Sequence, residues 1–272
     1  MRSVTVKSNG GLSVLSAFAT GKGGACSVDL PMEVSVSSGK GMKTSEPIER
    51  VLAFLTSKKM ASGEYTISVR STIPEANGLK SSSALVLSVI VGILRLEGIA
   101  MNDADLLRTA AEASLASGTS STGAMDDLAA CFYGGYCLTD NRQQAVLKRG
   151  RAGSESVLIV PSRKRKMLSS QMLIPPERDL HDCFNRALLM AEQGNIYGAM
   201  ELNGFIMASY TGIDFQTVGL LIRNGASYAS QSGKGPALFG IFPSSSIAGN
   251  MGLEDCIFTH FTDEGIRVVE EP

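Results

Sequence analysis

Turn-forming residues and three consecutive hydroxyls precede an apolar run in Ile73-Pro74-Glu75-Ala76-Asn77-Gly78-Leu79-Lys80-Ser81-Ser82-Ser83-Ala84, which continues into segment 85–96. Serine at a helix start is ordinary capping, because its oxygen accepts a backbone N–H that the helix leaves unpaired. Three hydroxyls behind a glycine exceed what one cap needs, and such a loop can present several N–H groups and the helix dipole to one anion. The segment therefore indicates either a phosphate-binding loop or only a loop and cap before a buried helix.

This segment is not the phosphate loop of the common nucleotide-binding fold, which needs Gly-x-x-x-x-Gly-Lys followed by Ser or Thr. The chain has three Gly-Lys-Gly tripeptides, at 21–23, 39–41 and 233–235, and none is followed by Ser or Thr. If the protein binds a nucleotide, it therefore does so in another way.

The composition is that of a globular chain whose net charge produces no strong electrostatic field. Of its 272 residues, 44% are hydrophobic and 19% charged, and the net charge is −1. These values predict a sizeable core and no nucleic-acid or membrane partner. The N-terminus lacks the apolar core of a signal peptide, and the apolar run 84–94 is too short to span a bilayer. We expect a cytoplasmic protein.

Cysteine and histidine usage gives no sign of a metal or disulfide framework. The five cysteines are never closer than six residues apart, and the two histidines, His181 and His260, are isolated. This pattern argues against structural zinc and favours a reducing compartment.

The order of predicted elements indicates an α+β protein with two lobes. Period-two alternation predicts strands at 35–37 and 66–70, and the stretch 4–37 is expected to alternate short β pieces with glycine-rich turns. The polar connection 148–156 is the predicted boundary, which divides the chain into 1–150 and 151–272. Helices are expected at 47–58, 83–96, 103–117, from near 125, and at 179–193, 196–208 and 215–224; further strands are expected at 136–139, 145–147, 157–160, 237–242, 256–261 and 266–269.

Two adjacent acids, Asp126 and Asp127, follow Gly123 at a predicted helix start. Acids at this place complement the helix dipole by about 0.3–1 kcal/mol each, and one acid would satisfy that need. Two acids behind a flexible glycine can also project a carboxylate into a cleft, where it orients or deprotonates a substrate hydroxyl. The pattern leaves both interpretations open.

Two further features flank this acid pair along the chain. Glu112, in the preceding helix, can pair with Arg108 one turn earlier or serve as a Mg²⁺ ligand. The segment Ser232-Gly233-Lys234-Gly235-Pro236-Ala237 is a small-residue loop before an apolar strand, and alone it predicts only a turn.

Taken together and in this order, these segments resemble the GHMP kinase superfamily. Its Pro-x-x-x-Gly-Leu-x-Ser-Ser-Ser-Ala motif matches 74–84, its Gly-x-x-Asp position matches Gly123 and Asp126, and its Ser-Gly-x-Gly-Pro loop matches 232–236. Within the superfamily the chain most resembles the archaeal-type shikimate kinases, through segments 17–25, 122–127, 133–135 and 139–141.

The chain departs from the superfamily at two places. Many members have Pro-Gly-Lys or Pro-Gly-Arg at the first motif, where this chain has Gly10-Gly11-Leu12-Ser13. Lys80 replaces a serine often seen in the second motif of this group. The departure at the first motif makes the sugar and mevalonate kinases poorer matches.

The resemblance implies an α+β, two-lobed GHMP kinase fold, with an N-terminal lobe like domain 2 of ribosomal protein S5 and a ferredoxin-like C-terminal lobe. It implies transfer of the γ-phosphoryl group of ATP to the 3-hydroxyl of shikimate, with Mg²⁺, in aromatic amino-acid (chorismate) biosynthesis. Phosphoryl transfer needs positioning and charge neutralisation more than covalent work from the protein.

The resemblance also implies roles for individual residues. Asp126 is expected to orient or deprotonate the attacking hydroxyl, with Asp127 as the alternative, and Lys80 either adds a cation at the phosphates or points to solvent. Mg²⁺ is expected at Ser82 and Glu112. Nucleotide contacts are expected from Pro74, Asn77, Gly78, Leu79, Lys80, Ser81, Ser82, Ser83 and Ala84, and substrate contacts from Lys22, Asp29, Ser232, Gly233 and Gly235.

Two other functions remain open. A homoserine or mevalonate-pathway kinase would share the ATP loop and differ in the acceptor pocket. A non-catalytic binding protein on the same scaffold would be expected to lose the acid or the serine-rich loop, and this chain keeps Asp126 and Ser81 to Ser83.

Overall fold

The computed structural model describes residues 2–39, 44–162, 178–243 and 252–270. Strands and helices alternate irregularly through these ranges, as predicted for an α+β protein. In chain order the elements are β1 (Ser3–Leu15), α1 (Ala17–Thr20), β2 (Lys22–Ser38), α2 (Glu46–Ser57), β3 (Tyr65–Ser71), α3 (Ser81–Leu96), α4 (Asp103–Ala116), α5 (Met125–Tyr133), β4 (Tyr136–Asp140), β5 (Ala145–Gly150), β6 (Ser156–Val160), α6 (Arg178–Glu192), α7 (Ile196–Thr211), α8 (Phe215–Arg223), β7 (Tyr228–Gln231), β8 (Leu238–Phe242), β9 (Ile257–His260) and β10 (Arg267–Glu270).

The first sheet is built around two long antiparallel strands. Its order is β10-β1-β2-β4-β5, and β3 pairs with β2 beside this path. The prediction of short β pieces and glycine-rich turns in 4–37 was wrong, because β1 runs for 13 residues and β2 for 17. The glycines allow close approach inside the strands: a Cβ on Gly10 would lie 2.9 Å from the Leu79 carbonyl oxygen.

The second sheet belongs to the later part of the chain. Its order is β7-β8-β6-β9, and all of its pairings are antiparallel. Helix α7 packs against β7 and also against β1 of the first sheet.

Helix α3 lies at the centre of the fold, as its uncharged sequence predicts. Buried residues occur on all of its sides, and it packs on β1 and β2. A Cβ on Gly92 would lie 2.6 Å from Val36 Cγ2, so this glycine allows the helix to approach the sheet closely. The helix begins at Ser81 rather than Ser83, because the serines form its first turn.

The two sheets share one hydrophobic core. Its members include Val14 and Val28 from the first sheet and Val157 and Phe239 from the second. The first sheet ends at Gly150 and the second begins at Ser156, yet β10 returns to pair with β1. The predicted second lobe, 151–272, thus contains a strand of the first sheet. No helix among the described residues has the length and apolar character needed to cross a bilayer.

Candidate active site

Four segments enclose a cavity of about 370 Å³. They are the end of β1 with α1, the loop that leads into α3, the loop between α4 and α5 with the first turn of α5, and the loop after β7. The lining residues are Ser13, Leu15, Ser16, Ala17, Phe18, Ala76, Gly78, Lys80, Ser81, Ser82, Ser83, Gly118, Thr119, Ser120, Ser121, Thr122, Ala124, Asp126, Asp127, Ser232, Gly233 and Lys234.

The N-terminus of α3 opens into this cavity. Lys80 is the N-cap residue in a left-handed conformation, with φ of 69°, and no side chain caps the helix. Ser81, Ser82 and Ser83, in the first turn, all line the cavity. An uncapped N-terminus of a 16-residue helix presents backbone N–H groups and a positive partial charge. This wall is therefore suited to an anion such as a phosphate.

The side chain of Lys80 turns inward and does not point to solvent. Only 6% of the side chain is exposed, and Nζ lies 2.8 Å from Asp127 Oδ1. The same Nζ donates to Ser13 Oγ at 2.6 Å. Lys80 thus joins the loop before α3, the end of β1 and the acidic helix α5.

Asp126 is the most enclosed acid of the cavity. Its Oδ1 accepts a hydrogen bond from Asn141 Nδ2 at 2.8 Å, and a Cβ on Gly23 would lie 2.7 Å from its Cγ. Burial, followed by the negative charge of Asp127, raises the pKa of Asp126 to about 6; Lys80 and the Asn141 hydrogen bond oppose that rise. The carboxyl group is therefore poised to exchange a proton near neutral pH.

Both acids reach the cavity because of how α5 begins. Ala124, its N-cap residue, is left-handed with φ of 50°, and Asp126 and Asp127 lie in the first turn. The sequence could not decide which acid faces the cleft, and the structure places both in its lining. They differ in their partners: Lys80 pairs with Asp127 and Asn141 donates to Asp126.

The two glycine-rich loops dock against each other, backbone to backbone. A Cβ on Gly78 would lie 2.6 Å from the Ser232 carbonyl oxygen, and one on Gly235 would overlap the Asn77 backbone. Ser232 Oγ donates to the Gly78 carbonyl at 3.0 Å. Gly233 and Ser232 line the cavity, whereas Gly235 holds the loops together.

Several predicted site residues lie outside the cavity lining. Lys22 Nζ pairs with Asp140 Oδ2 at 2.5 Å, and the exposed Asp29 lies 3.9 Å from His260. Glu112 pairs with Lys58 on the surface at 2.8 Å. Arg108 pairs with Asp105 at 3.6 Å, and among the described residues no ion pair joins Arg108 to Glu112, although that pair was one expectation for Glu112.

Four predicted nucleotide contacts also lie outside that lining. Leu79 and Ala84 belong to the hydrophobic core. Asn77 Oδ1 accepts from the Ser162 backbone N–H at 2.8 Å, so this side chain connects the loop to the segment that follows β6. Pro74 is half-buried before the loop and does not reach the cavity wall.

The sequence did not predict two of the four segments that line the cavity: 13–18, at the end of β1 and in α1, and 118–122, between α4 and α5. Gly118, Thr119, Ser120, Ser121 and Thr122 line the same space as the serines of α3. The available signal was the density of hydroxyls, which is as high there as in the loop before α3. Nothing local in the sequence shows that segment 118–122 and the serines of α3 line the same space.

Comparison with known proteins identifies the class. Residues 47–135 match the family described as GHMP kinases N terminal domain. A homoserine kinase from Cytophaga hutchinsonii superposes with a TM-score of 0.76 at 17% identity, covering 98% of this chain and 97% of that one. The mevalonate kinase of Methanococcus jannaschii gives 0.74 at 12% identity, covering 98% of each. The fold is that of a GHMP kinase.

Proteins with similar sequences indicate which group of GHMP kinases this chain belongs to. The shikimate kinase of Thermoplasma acidophilum is 38% identical over 98% of both chains, and that of Methanothermobacter thermautotrophicus is 31% identical over 98% of both. The chain belongs to the family of these archaeal shikimate kinases within the GHMP kinases.

Proposed function

We propose that this protein is a shikimate kinase, transferring the γ-phosphoryl group of ATP to the 3-hydroxyl of shikimate. The observation that carries this proposal is the 38% identity to a shikimate kinase over essentially the full length of both chains. The cavity supports it, because one space contains a helix N-terminus suited to phosphates and two carboxylates suited to a hydroxyl.

The nucleotide phosphates would lie against the first turn of α3. Gly78, Ser81, Ser82 and Ser83 line that wall, and the helix dipole favours the negative charge there. Lys80 forms an ion pair with Asp127, so its positive charge neutralises that carboxylate of the protein. Its place in the lining still lets it reduce the repulsion between that acid and a bound phosphate.

Asp126 would orient the acceptor hydroxyl and take its proton. As the hydroxyl oxygen bonds to the γ-phosphorus, the bond from that phosphorus to ADP breaks and the proton passes to the carboxylate. A pKa near 6 keeps most of Asp126 ionised at neutral pH while leaving it basic enough to accept a proton.

The cavity has a cation for an anionic group of a substrate. Among the described lining residues the cations are Lys80 and Lys234. Lys22 lies outside the lining, beside Asp140. Lys234 lies in the lining with Ser232 and Gly233, on the loop after β7, and its positive charge is opposite to that of a carboxylate. We assign Lys234, with Ser232 and Gly233 beside it, to the carboxylate of shikimate.

The donor set on the α3 wall fits Mg²⁺ in part. The Ser82 hydroxyl is a hard oxygen in the cavity lining, and Mg²⁺ in kinases is held by few protein ligands together with phosphates and water. The ion would neutralise charge on the transferred phosphoryl group.

Glu112 does not fit as a Mg²⁺ ligand, because it pairs with Lys58 on the surface. Glu112→Gln should leave the Mg²⁺ dependence of the rate unchanged, and a weaker Mg²⁺ response would restore Glu112 as a ligand.

The test is an ADP-release assay with Mg²⁺-ATP and, in parallel, shikimate, homoserine or mevalonate. We expect release with shikimate, and a loss of about 100-fold or more in kcat for Asp126→Asn with ATP binding retained. Release with another acceptor would keep the kinase activity and discard shikimate. Bound ATP without release for any acceptor would favour the non-catalytic alternative.

A further inference from the structure

The segment Thr139-Asp140-Asn141, part of the sequence resemblance, lies outside the lining of the cavity but reaches Asp126 through Asn141. It spans the end of β4, where Asp140 accepts hydrogen bonds from the backbone N–H groups of Arg142 and Gln143. Asn141 is buried and donates to Asp126, so this segment touches the proposed reacting carboxylate directly.

The orientation of the Asn141 amide is fixed by its other partner. Thr139 Oγ1 donates to Asn141 Oδ1 at 2.7 Å, and both side chains are buried. The alternative acceptor for that hydroxyl, the Gly23 carbonyl, is farther away at 3.5 Å. With its oxygen engaged by Thr139, the amide presents its NH₂ group to Asp126. An NH₂ donor stabilises an ionised carboxylate, whereas an amide oxygen in that place would favour the protonated form.

The backbone around this pair is anchored to β2. Asn141 N–H donates to the Gly21 carbonyl at 2.8 Å, and Thr139 pairs with Gly23 across the ladder. Gly23 is also the residue whose missing Cβ leaves room for Asp126. The segment that contains Gly21 and Gly23 and the segment Thr139-Asp140-Asn141 therefore both contact the surroundings of the Asp126 carboxylate.

In the described part of the chain, three titratable groups interact with Asp126 from the elements packed around it. Asp127 lies beside it on α5 and raises the cost of ionisation, whereas Lys80, from the loop before α3, lowers it. Cys137, from β4, stays protonated at neutral pH because burial raises the pKa of its thiol to about 12. Asn141 adds a neutral donor aimed at one oxygen of Asp126.

We propose that Asn141, oriented by Thr139, is a positioning residue that holds Asp126 ionised and aimed into the cavity. This inference rests on the proposed role of Asp126 in the kinase reaction. It assigns to Thr139-Asp140-Asn141 a function in setting the pH range of catalysis.

The test measures kcat/KM against pH for the wild type, Asn141→Ala, Thr139→Val and Thr139→Ser. Asn141→Ala should raise the apparent pKa of the acidic limb by about one unit, which is about a tenfold loss at pH 5 and a small loss at pH 8. Thr139→Val should also raise the apparent pKa of the acidic limb, by less than Asn141→Ala does. Thr139→Ser keeps the hydroxyl and should leave this pKa at its wild-type value. Asn102→Ala, which removes the N-cap of α4 far from the cavity, is the matched control and should not shift the limb.

A second readout separates this inference from the proposed function. The ¹³C resonance of the Asp126 carboxyl carbon, assigned by its loss in Asp126→Asn, reports the titration without any substrate. If the wild type releases no ADP with shikimate, the proposed function fails, while an upward shift in Asn141→Ala still supports the coupling. An equal loss of rate at all pH values, with an unshifted carboxyl titration, overturns the positioning role.

Discussion

At the scale of single residues, the decisive feature is that Lys80 is a buried cation rather than a mobile phosphate ligand. Its side chain is 6% exposed and that of Asp127 is 17% exposed. Breaking such a pair is expensive because the remaining charge stays buried, whereas removing both charges costs much less. The chain lacks the lysine or arginine of the first GHMP motif, and Lys80 brings a cation to Ser13, at that place on β1.

Removal of this cation alone should destabilise the fold. Lys80→Met is expected to lower the free energy of unfolding by about 3 kcal/mol and to abolish measurable kinase activity. The double variant Lys80→Met/Asp127→Asn should recover most of the stability and none of the activity. Urea unfolding followed by circular dichroism gives the comparison. Equal stability of the single variant and the wild type would mean that the pair does not form in solution.

The titration of Asp126 makes a prediction about stability. Its folded pKa of about 6 lies above the ordinary 3.8, so the folded state binds this proton more tightly than the unfolded state. Its contribution to stability is therefore largest below pH 4 and is lost as the pH rises through 6. The free energy of unfolding of Asp126→Asn minus that of the wild type should increase between pH 4 and pH 7. A difference that is constant or falls with pH would contradict the raised pKa.

Single residues also show how far the sequence alone could lead. The acid pair and the serines are local patterns, so the sequence predicts their presence at helix starts. The direction of the Lys80 side chain and the pairing of Asn141 with Asp126 depend on residues 67 and 15 positions apart in the chain, which no local pattern relates. For the same reason Lys22, Asp29 and Glu112 were expected at the site, although each has a partner elsewhere.

At the scale of elements, the site depends on the contact between the loop before α3 and the loop after β7. Both are glycine-rich because their backbones meet at distances that exclude a Cβ. The sequence predicts these loops and the helix that follows the first, but not that they touch. The sequence also predicts short β pieces in place of β1 and β2. A glycine inside a strand gives the same local signal as a turn when the backbone that faces it is unknown.

Gly78 and Gly98 provide a matched pair for this contact. Both have positive φ, of 80° and 68°, but a Cβ on Gly98 would meet nothing within 4 Å, whereas one on Gly78 would meet Ser232. Gly98→Ala should cost only the backbone strain, about 1 kcal/mol. Gly78→Ala should cost about 2 kcal/mol more through overpacking and should weaken ATP binding, which calorimetric titration measures. Equal effects of the two changes would show that the loops are not in close contact.

At the scale of the whole molecule, the chain crosses between its two sheets more than once. Their side chains meet in one core, and the segment around Phe261 bridges to Val28 before β10 pairs with β1. Composition and element order predicted the α+β class and two lobes. They predicted a strand at 266–269 but not that it returns to the first sheet, because a short apolar segment near the C-terminus can pair with either sheet.

Because the two sheets share a core and β10 pairs with β1, we expect that the lobes 1–150 and 151–272 do not fold separately. Residues 1–150 alone would leave the β10-pairing edge of β1 open and would expose core residues such as Val14 and Val28 that pack in one cluster with the second sheet. An unpaired edge and an exposed apolar face favour association over a native monomer. We expect the full chain to unfold in one calorimetric transition and the fragment 1–150 to show none. Two transitions in the full chain, or a cooperative transition of the fragment, would establish the lobes as independent folding units.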